Sequence, residues 1–167
     1  MTKMTILKMD EVTKVYEGKV THRAINQLSF EVNKGEFVAV MGPSGSGKTT
    51  LLNLISTIDS ATSGTITIDG QRPEEMTKTE LALFRRRQLG FVFQDFNLLQ
   101  MLTVEENLVL PLTLDSIPID EMKKRIKELA KKLDLDQILE KRPNEISGGQ
   151  AHRPAIGRAL IHQPTFI

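Results

Sequence analysis

Eight consecutive residues, Gly42-Pro43-Ser44-Gly45-Ser46-Gly47-Lys48-Thr49, have the composition and spacing of a phosphate cradle, G-x-x-x-x-G-K-[ST]. Gly42, Gly45 and Gly47 let successive backbone N–H groups turn inward and approach phosphate oxygens with no side chain in the way. Lys48 can place its ammonium between the terminal phosphates of a nucleoside triphosphate, and Thr49 can offer a hydroxyl to Mg²⁺. A helix beginning at this point adds the positive end of its dipole, and Thr50 lies in its first turn.

Such a loop works only between elements that hold it. Phe37-Val38-Ala39-Val40-Met41 runs directly in and is continuously apolar, the pattern of a parallel strand buried on both faces. From Lys48 to about Ile58 the residues Leu51, Leu52, Leu54, Ile55 and Ile58 predict a helix packed on more than one side. A chance glycine-rich turn would lack this strand before it and this helix after it, and the order strand, loop, helix opens an α/β unit. Upstream, Ala24, Leu28, Phe30 and Val32 mostly alternate with polar residues, predicting a half-buried strand that Asn33-Lys34-Gly35-Glu36 turns. Thr65-Ile66-Thr67-Ile68 alternates in the same way and ends at Asp69-Gly70, a good hairpin pair.

The middle of the chain reads as helical. Thr77 with Glu80, and Thr103 with Glu106, have capping-box spacing. The first predicts a short helix through Arg87, the second a turn or two ended by Pro111. Leu89 to Phe93 reads as a short strand between them. After Pro118 comes the clearest amphipathic pattern, with Met122, Ile126, Leu129 and Leu133 on one stripe and five lysines off it. Those lysines and Arg85-Arg86-Arg87 read as solvated surface, and His22, His152 and His162 lack metal-ligand spacing.

Composition bounds the rest. The 167 residues fit one domain, and 40% hydrophobic with 26% charged residues is ordinary globular composition. Twenty-two basic against 21 acidic side chains leave a net charge of +1, which argues against holding nucleic acid through a large basic surface. The absence of cysteine excludes disulfides and thiolate metal sites. No apolar run approaches the roughly 18–20 residues of a membrane span, and lysines and an aspartate interrupt residues 1–10 before a signal peptide could form. A cytoplasmic protein, brought to a membrane only by a partner, is expected.

Further motifs give the loop company. Ile146-Ser147-Gly148-Gly149-Gln150 resembles the L-S-G-G-Q signature of ABC-type ATPases, followed by Arg153 and Gly157-Arg158-Ala159-Leu160. Phe91-Val92-Phe93-Gln94 resembles the Q-loop, and Tyr16 sits where the family stacks an aromatic ring on adenine. The stretch Phe93 to Leu99, then Leu102 to Asn107 and Leu110-Pro111-Leu112, is similar to the branch of macrolide exporters and lipoprotein-releasing ATPases. Within it, Pro143 to Gln150 and Gly157-Arg158-Ala159 look most like bacitracin-type antimicrobial-peptide exporters.

This resemblance implies an α/β P-loop NTPase with a RecA-like core, an N-terminal antiparallel β-subdomain and a helical subdomain. The implied boundaries within a single domain are 1–35 and 60–72 for the β-subdomain and 36–59 for the phosphate-loop core. The helical subdomain would be 95–146, with the signature helix and the start of the Walker B strand in 147–167. It also implies ATP and Mg²⁺ as ligands. Tyr16 would stack on adenine, Gly42 through Thr50 would cradle the phosphates, and Thr49 and Gln94 would serve Mg²⁺, Gln94 also positioning water. Ser147, Gly148, Gly149 and Gln150 would reach ATP held by a second, facing subunit. The implied partners are that second ATP-binding subunit and an integral membrane permease, with no nucleic acid. The implied place is the cytoplasmic face of the membrane, and the implied role ATP-driven export, with an antimicrobial peptide as candidate cargo and antibiotic resistance as the consequence.

Two departures shape the expectations. The sequence stops at Pro164-Thr165-Phe166-Ile167, where the resemblance places the entry to the Walker B strand, so the C-terminal part of the domain, with the acids that complete catalysis, is expected to be missing. Poor turnover by this chain alone is therefore expected, the alternative reading being a nucleotide-binding remnant without catalytic activity. Pro154 falls inside the signature helix, where proline removes the bond to the Gln150 carbonyl at a cost of about 3 kcal/mol.

Overall fold

The computed structural model describes residues 4–167. The first three residues of the expected β-subdomain, and of the stretch read for a signal peptide, lie outside the described residues. The chain divides into two compact units, one ending at Arg85 and the other Arg86–Ile167.

The first unit is built on a three-stranded antiparallel sheet, β1 (Thr5–Tyr16), β2 (His22–Asn33) and β3 (Ser63–Ile68), in the order β2-β1-β3. Its core is Leu7, Met9 and Val12 of β1, Ile25 and Val32 of β2, and Ile66 and Ile68 of β3. The alternation expected in β2 changes phase within the strand, because Gln27 adopts a left-handed φ of 45° and buries Ile25 in place of Ala24. The bulges are not left with orphan donors. The Glu11 N–H donates to Ser29 Oγ at 2.8 Å and the Gln27 N–H to Thr13 Oγ1 at 3.0 Å. Asp69-Gly70 turns as expected, both residues at positive φ, and Ile68 and Gln71 exchange hydrogen bonds of 2.8 and 2.9 Å across it.

Helix α1 (Lys48–Ile55) follows the glycine loop but stops before the expected Ile58, because Thr57 turns to φ 59°. Leu51, Leu54 and Ile55 are buried while Leu52 and Ile58 are exposed, so α1 packs on one side, not several. The strand expected at Phe37–Met41 is not formed, and Phe37 is 97% exposed. A strand needs a ladder partner as well as apolar side chains, and no described strand pairs with this run. Helix α2 (Lys78–Gln88) opens on the expected capping box, Thr77 N–H to Glu80 Oε2 at 2.8 Å and Glu80 N–H to Thr77 Oγ1 at 3.3 Å, and the unit boundary falls within it.

The second unit is a helical cluster of α3 (Val104–Leu114), α4 (Ile119–Leu133) and α5 (Gly148–Leu160). Val104, Leu108 and Leu112 place one buried residue per turn of α3 against Ile126 and Ala130 of α4, with Leu135, Ile138 and Ile161 closing the core. Each fully buried leucine contributes about 2 kcal/mol by area. That is why α3 continues past Pro111, contrary to expectation: the proline removes one ladder bond, and buried Leu108 and Leu112 hold the helix on either side. The expected strand at Leu89–Phe93 reduces to one parallel bridge, Leu89 to Phe166, with the Gly90 N–H donating to the Phe166 carbonyl at 2.8 Å.

Pro154 sits inside an unbroken α5 and is buried. Its missing hydrogen bond remains a cost, so Pro154→Thr should raise the melting temperature by several degrees. An unchanged melting temperature contradicts the strain argument.

Candidate functional site

In the first unit the glycine loop meets the β1–β2 hairpin. Gly47, at φ 86°, is the residue on which α1 begins, and a Cβ there would lie 2.6 Å from the Ala24 carbonyl oxygen of β2. Only glycine lets the loop approach the strand so closely while turning into the helix. No side chain caps α1 and its first turn holds no acidic residue, so its leading N–H groups face a ligand's approach. Lys48 folds back across the loop and donates from Nζ to the carbonyls of Gly42 at 2.8 Å and Pro43 at 2.7 Å. Those neutral acceptors are weaker partners for an ammonium than phosphate oxygens.

An open cleft of about 260 Å³ lies over the loop, walled by Tyr16 and His22 on the hairpin and by Ser44, Gly45 and Lys48–Thr50 opposite. Tyr16 and His22 are cross-strand partners in the β1–β2 register. The Tyr16 hydroxyl donates to Asp59 Oδ2 at 2.9 Å, and Lys14 bonds Asp59 Oδ1 at 2.6 Å while its ammonium lies 4.9 Å from the Tyr16 ring centroid. This trio anchors the edge of the tyrosine and leaves Tyr16 40% exposed.

The Lys14 hydrogen bond holds the Asp59 carboxyl below its ordinary value of 3.8, with the Tyr16 hydroxyl and the Ser60 N–H adding to it against a smaller effect of burial. A depressed carboxylate stabilises the fold above its unfolded pKa and loses that contribution as pH falls through the folded value. Denaturant titrations at about pH 5 and about pH 3 should show Asp59→Asn losing less stability on acidification than the parent, by about 0.5–1 kcal/mol. Equal losses contradict the contact.

Of the residues singled out in the sequence, Tyr16, Ser44, Gly45 and Gly47–Thr50 line the cleft, whereas Gly42, Pro43 and Ser46 do not. Sequence reasoning missed His22 in the lining, and Lys14 and Asp59, which anchor Tyr16 from outside it. Asp59 lies 45 residues from Lys14, and no local pattern announces the pair.

Gln94 and the stretch Ser147–Gln150 belong to the second unit. Gln94 is exposed at a turn in which the Phe96 N–H donates to the Phe93 carbonyl at 3.1 Å. Ser147 caps α5. Its Oγ accepts from the Gln150 N–H at 3.3 Å, and Gln150 Oε1 accepts from the Ser147 N–H at 2.9 Å. Gly148 and Gly149 are exposed, and a Cβ on either would meet nothing within 4 Å. Nothing in their own unit asks for glycine.

The family profile described as "ABC transporter" matches residues 25–167. The chain belongs to the ABC transporter family. It is 53% identical to the ABC transporter ATP-binding protein YxdL of Bacillus subtilis, over 97% of this chain and 63% of that protein. It is 45% identical to the bacitracin export ATP-binding protein BceA of Halalkalibacterium halodurans, over 98% of this chain and 65% of that protein. The chain thus spans slightly less than two-thirds of the length of these curated relatives. The solved dimeric ATP-binding cassette MJ0796, bound to ADP and Pi in a post-hydrolysis state, superposes with a TM-score of 0.87 at 40% identity, covering 95% of this chain and 71% of that one. The fold is accordingly the α/β fold of an ABC ATPase cassette, of which this chain covers part. Among the described residues no helix is long and apolar enough to cross a membrane.

Proposed function

We propose that the chain is the ATP-binding subunit of a bacterial ABC exporter, coupling ATP binding and hydrolysis to export beneath a separate membrane permease. The observation that carries this reading is the cleft itself: an uncapped helix N-terminus, a glycine loop with Lys48 across it and a tethered aromatic ring on the facing hairpin. The loop's orphan donors fit the triphosphate, and Tyr16 offers its half-exposed face to a base. Gly42 through Thr50 hold the phosphates. Thr49, in the cleft, would hold Mg²⁺, whose chemistry is to neutralise charge developing on the phosphates. Gln94 is assigned to Mg²⁺ on the resemblance of Phe91–Gln94 to the Q-loop. The subdivision read from the sequence, with the β-subdomain in 1–35 and 60–72 and the helical subdomain in 95–146, goes with this assignment.

Ser147, Gly148, Gly149 and Gln150 serve ATP bound by a second copy. Their exposure and the absence of any internal need for the two glycines support that role. Similarity to the bacitracin export protein favours an antimicrobial peptide as cargo. The subunit then works at the cytoplasmic face of the membrane without spanning it. Sedimentation with and without Mg·ATP tests the reading: a monomer that becomes a dimer with nucleotide is expected. A protein that binds ATP yet stays monomeric at every concentration contradicts the role of the Ser147–Gln150 face.

A further inference from the structure

Two consecutive non-glycine residues after the Gln94 turn, Phe96 at φ 60° and Asn97 at φ 50°, lie in the left-handed region that bulky side chains rarely adopt. Such a conformation persists only where its surroundings over-determine it, and it clusters at sites with a job to do. Here the surroundings are helix α5. The half-buried Arg158 guanidinium forks onto both carbonyls, Nη1 donating to Asn97 O at 2.7 Å and Nη2 to Phe96 O at 3.0 Å. The Phe96 ring meets the His152 ring edge-on, with centroids 4.2 Å apart, one and a half turns before Arg158 on the same helix. Leu98 then packs between Ala151 and Ala155. Backbone and side chains of this segment are therefore gripped by one element, the helix that Ser147 caps.

We propose that Arg158 is a positioning residue that fixes the backbone turn carrying Gln94 onto helix α5. A planar fork with two N–H groups aimed at two neighbouring carbonyls is geometry that arginine supplies and lysine does not. The left-handed pair is what turns both carbonyls toward it. A movement of α5 then carries the Gln94 turn with it as one body. A second, independent fastening holds the next part of the segment. Asn107, fully buried in α3, accepts from the Leu99 N–H at 2.7 Å and donates to the Leu99 and Thr103 carbonyls at 3.1 and 2.9 Å. The importance of the turn for nucleotide chemistry rests on the reading of Gln94 given above, but the fastening itself does not.

The separation of the two fastenings supplies the test. Residue-resolved amide exchange is measured on the purified protein, its Arg158→Met and Arg158→Lys variants, and Asn107→Ala. Arg158→Met is expected to speed exchange at Phe96 and Asn97 at least tenfold, while Leu99 and the α4 amides keep their parent rates. Arg158→Lys, holding one carbonyl instead of two, is expected to fall between, and it decides the matter alone if the methionine variant does not fold. Asn107→Ala should reverse the pattern, freeing Leu99 first. Exchange that rises evenly through the second unit, or does not rise at Phe96 and Asn97, overturns the proposal and leaves Arg158 an ordinary packing residue. Equilibrium ATP binding with and without Mg²⁺ separates the two layers. If Arg158→Met and Gln94→Ala each lose the Mg²⁺-dependent gain in affinity, both the fastening and the Gln94 reading stand. If the local exchange signature is present but both variants keep that gain, the fastening stands and the assignment of Gln94 to Mg²⁺ falls.

Discussion

Lys48→Ala is expected to weaken ATP binding about 100-fold while leaving the fold in place. The ammonium is the positive side chain of the loop, and contacts from it to phosphate oxygens would be charge-assisted, each worth about 1.5–3 kcal/mol. Losing about 3 kcal/mol corresponds to two orders of magnitude in Kd. The same nitrogen bonds the Gly42 and Pro43 carbonyls at an exposed position, so its removal should change unfolding stability by less than about 1 kcal/mol. Titration calorimetry and a denaturation curve on the same preparation separate the two effects. Unchanged affinity would show that phosphates bind elsewhere. Arg in place of Lys48 should not rescue, because the wider planar guanidinium fits a different phosphate geometry.

Gly157→Ala should destabilise the second unit by about 1–2 kcal/mol, against the usual gain of about 1 kcal/mol when a helical glycine becomes alanine. The reason is the close approach of α5 to its neighbours. A Cβ at Gly157 would lie 2.6 Å from Leu108 Cδ2 and 3.3 Å from Leu133 Cδ1. Leu108 is fully buried and has nowhere to go, so α5 must back away and open the contact along α3. Gly149→Ala is the control on the same helix. A Cβ there meets open space, so the fold should be unchanged, and the loss should appear only in the ATP-dependent dimer. A stabilised Gly157→Ala variant would show that α5 does not pack as described.

What the sequence made legible was what a few neighbouring residues decide among themselves. The glycine loop, the Thr77–Glu80, Thr103–Glu106 and Asp69-Gly70 features and the stripe of α4 are all of that kind, and the structure has each of them. Composition alone does not make a strand, and Phe37–Met41 is the clearest case: five apolar residues predict a buried strand, yet without a paired neighbour they stay out of the sheet. Pro111 failed in the opposite direction, because burial of Leu108 and Leu112 outweighs one lost hydrogen bond.

The hidden part of the site is polar and non-local. Asp59 fastens Tyr16 across 43 residues, and Arg158 reaches Asn97 across 61. Read in sequence, Asp59 and Asn107 are ordinary polar residues. Once β3 pairs with β1, Asp59 becomes the group that fastens the cleft's aromatic edge, while in the second unit Asn107 fastens the segment after Gln94 across only eight residues. The phase shift at Gln27 belongs to the same class, since a bulge is visible only when the partner strand is present.

The most direct test of the cleft is to count the phosphates it recognises. Affinities of ATP, ADP, AMP and adenosine are measured by equilibrium titration in Mg²⁺ against the purified protein. A loop built from glycine N–H groups, a helix N-terminus and Lys48 predicts ATP tightest, ADP next, and AMP and adenosine at least about 100-fold weaker. Equal affinity for all four, or none for ATP, contradicts a phosphate cradle at Gly42–Thr50.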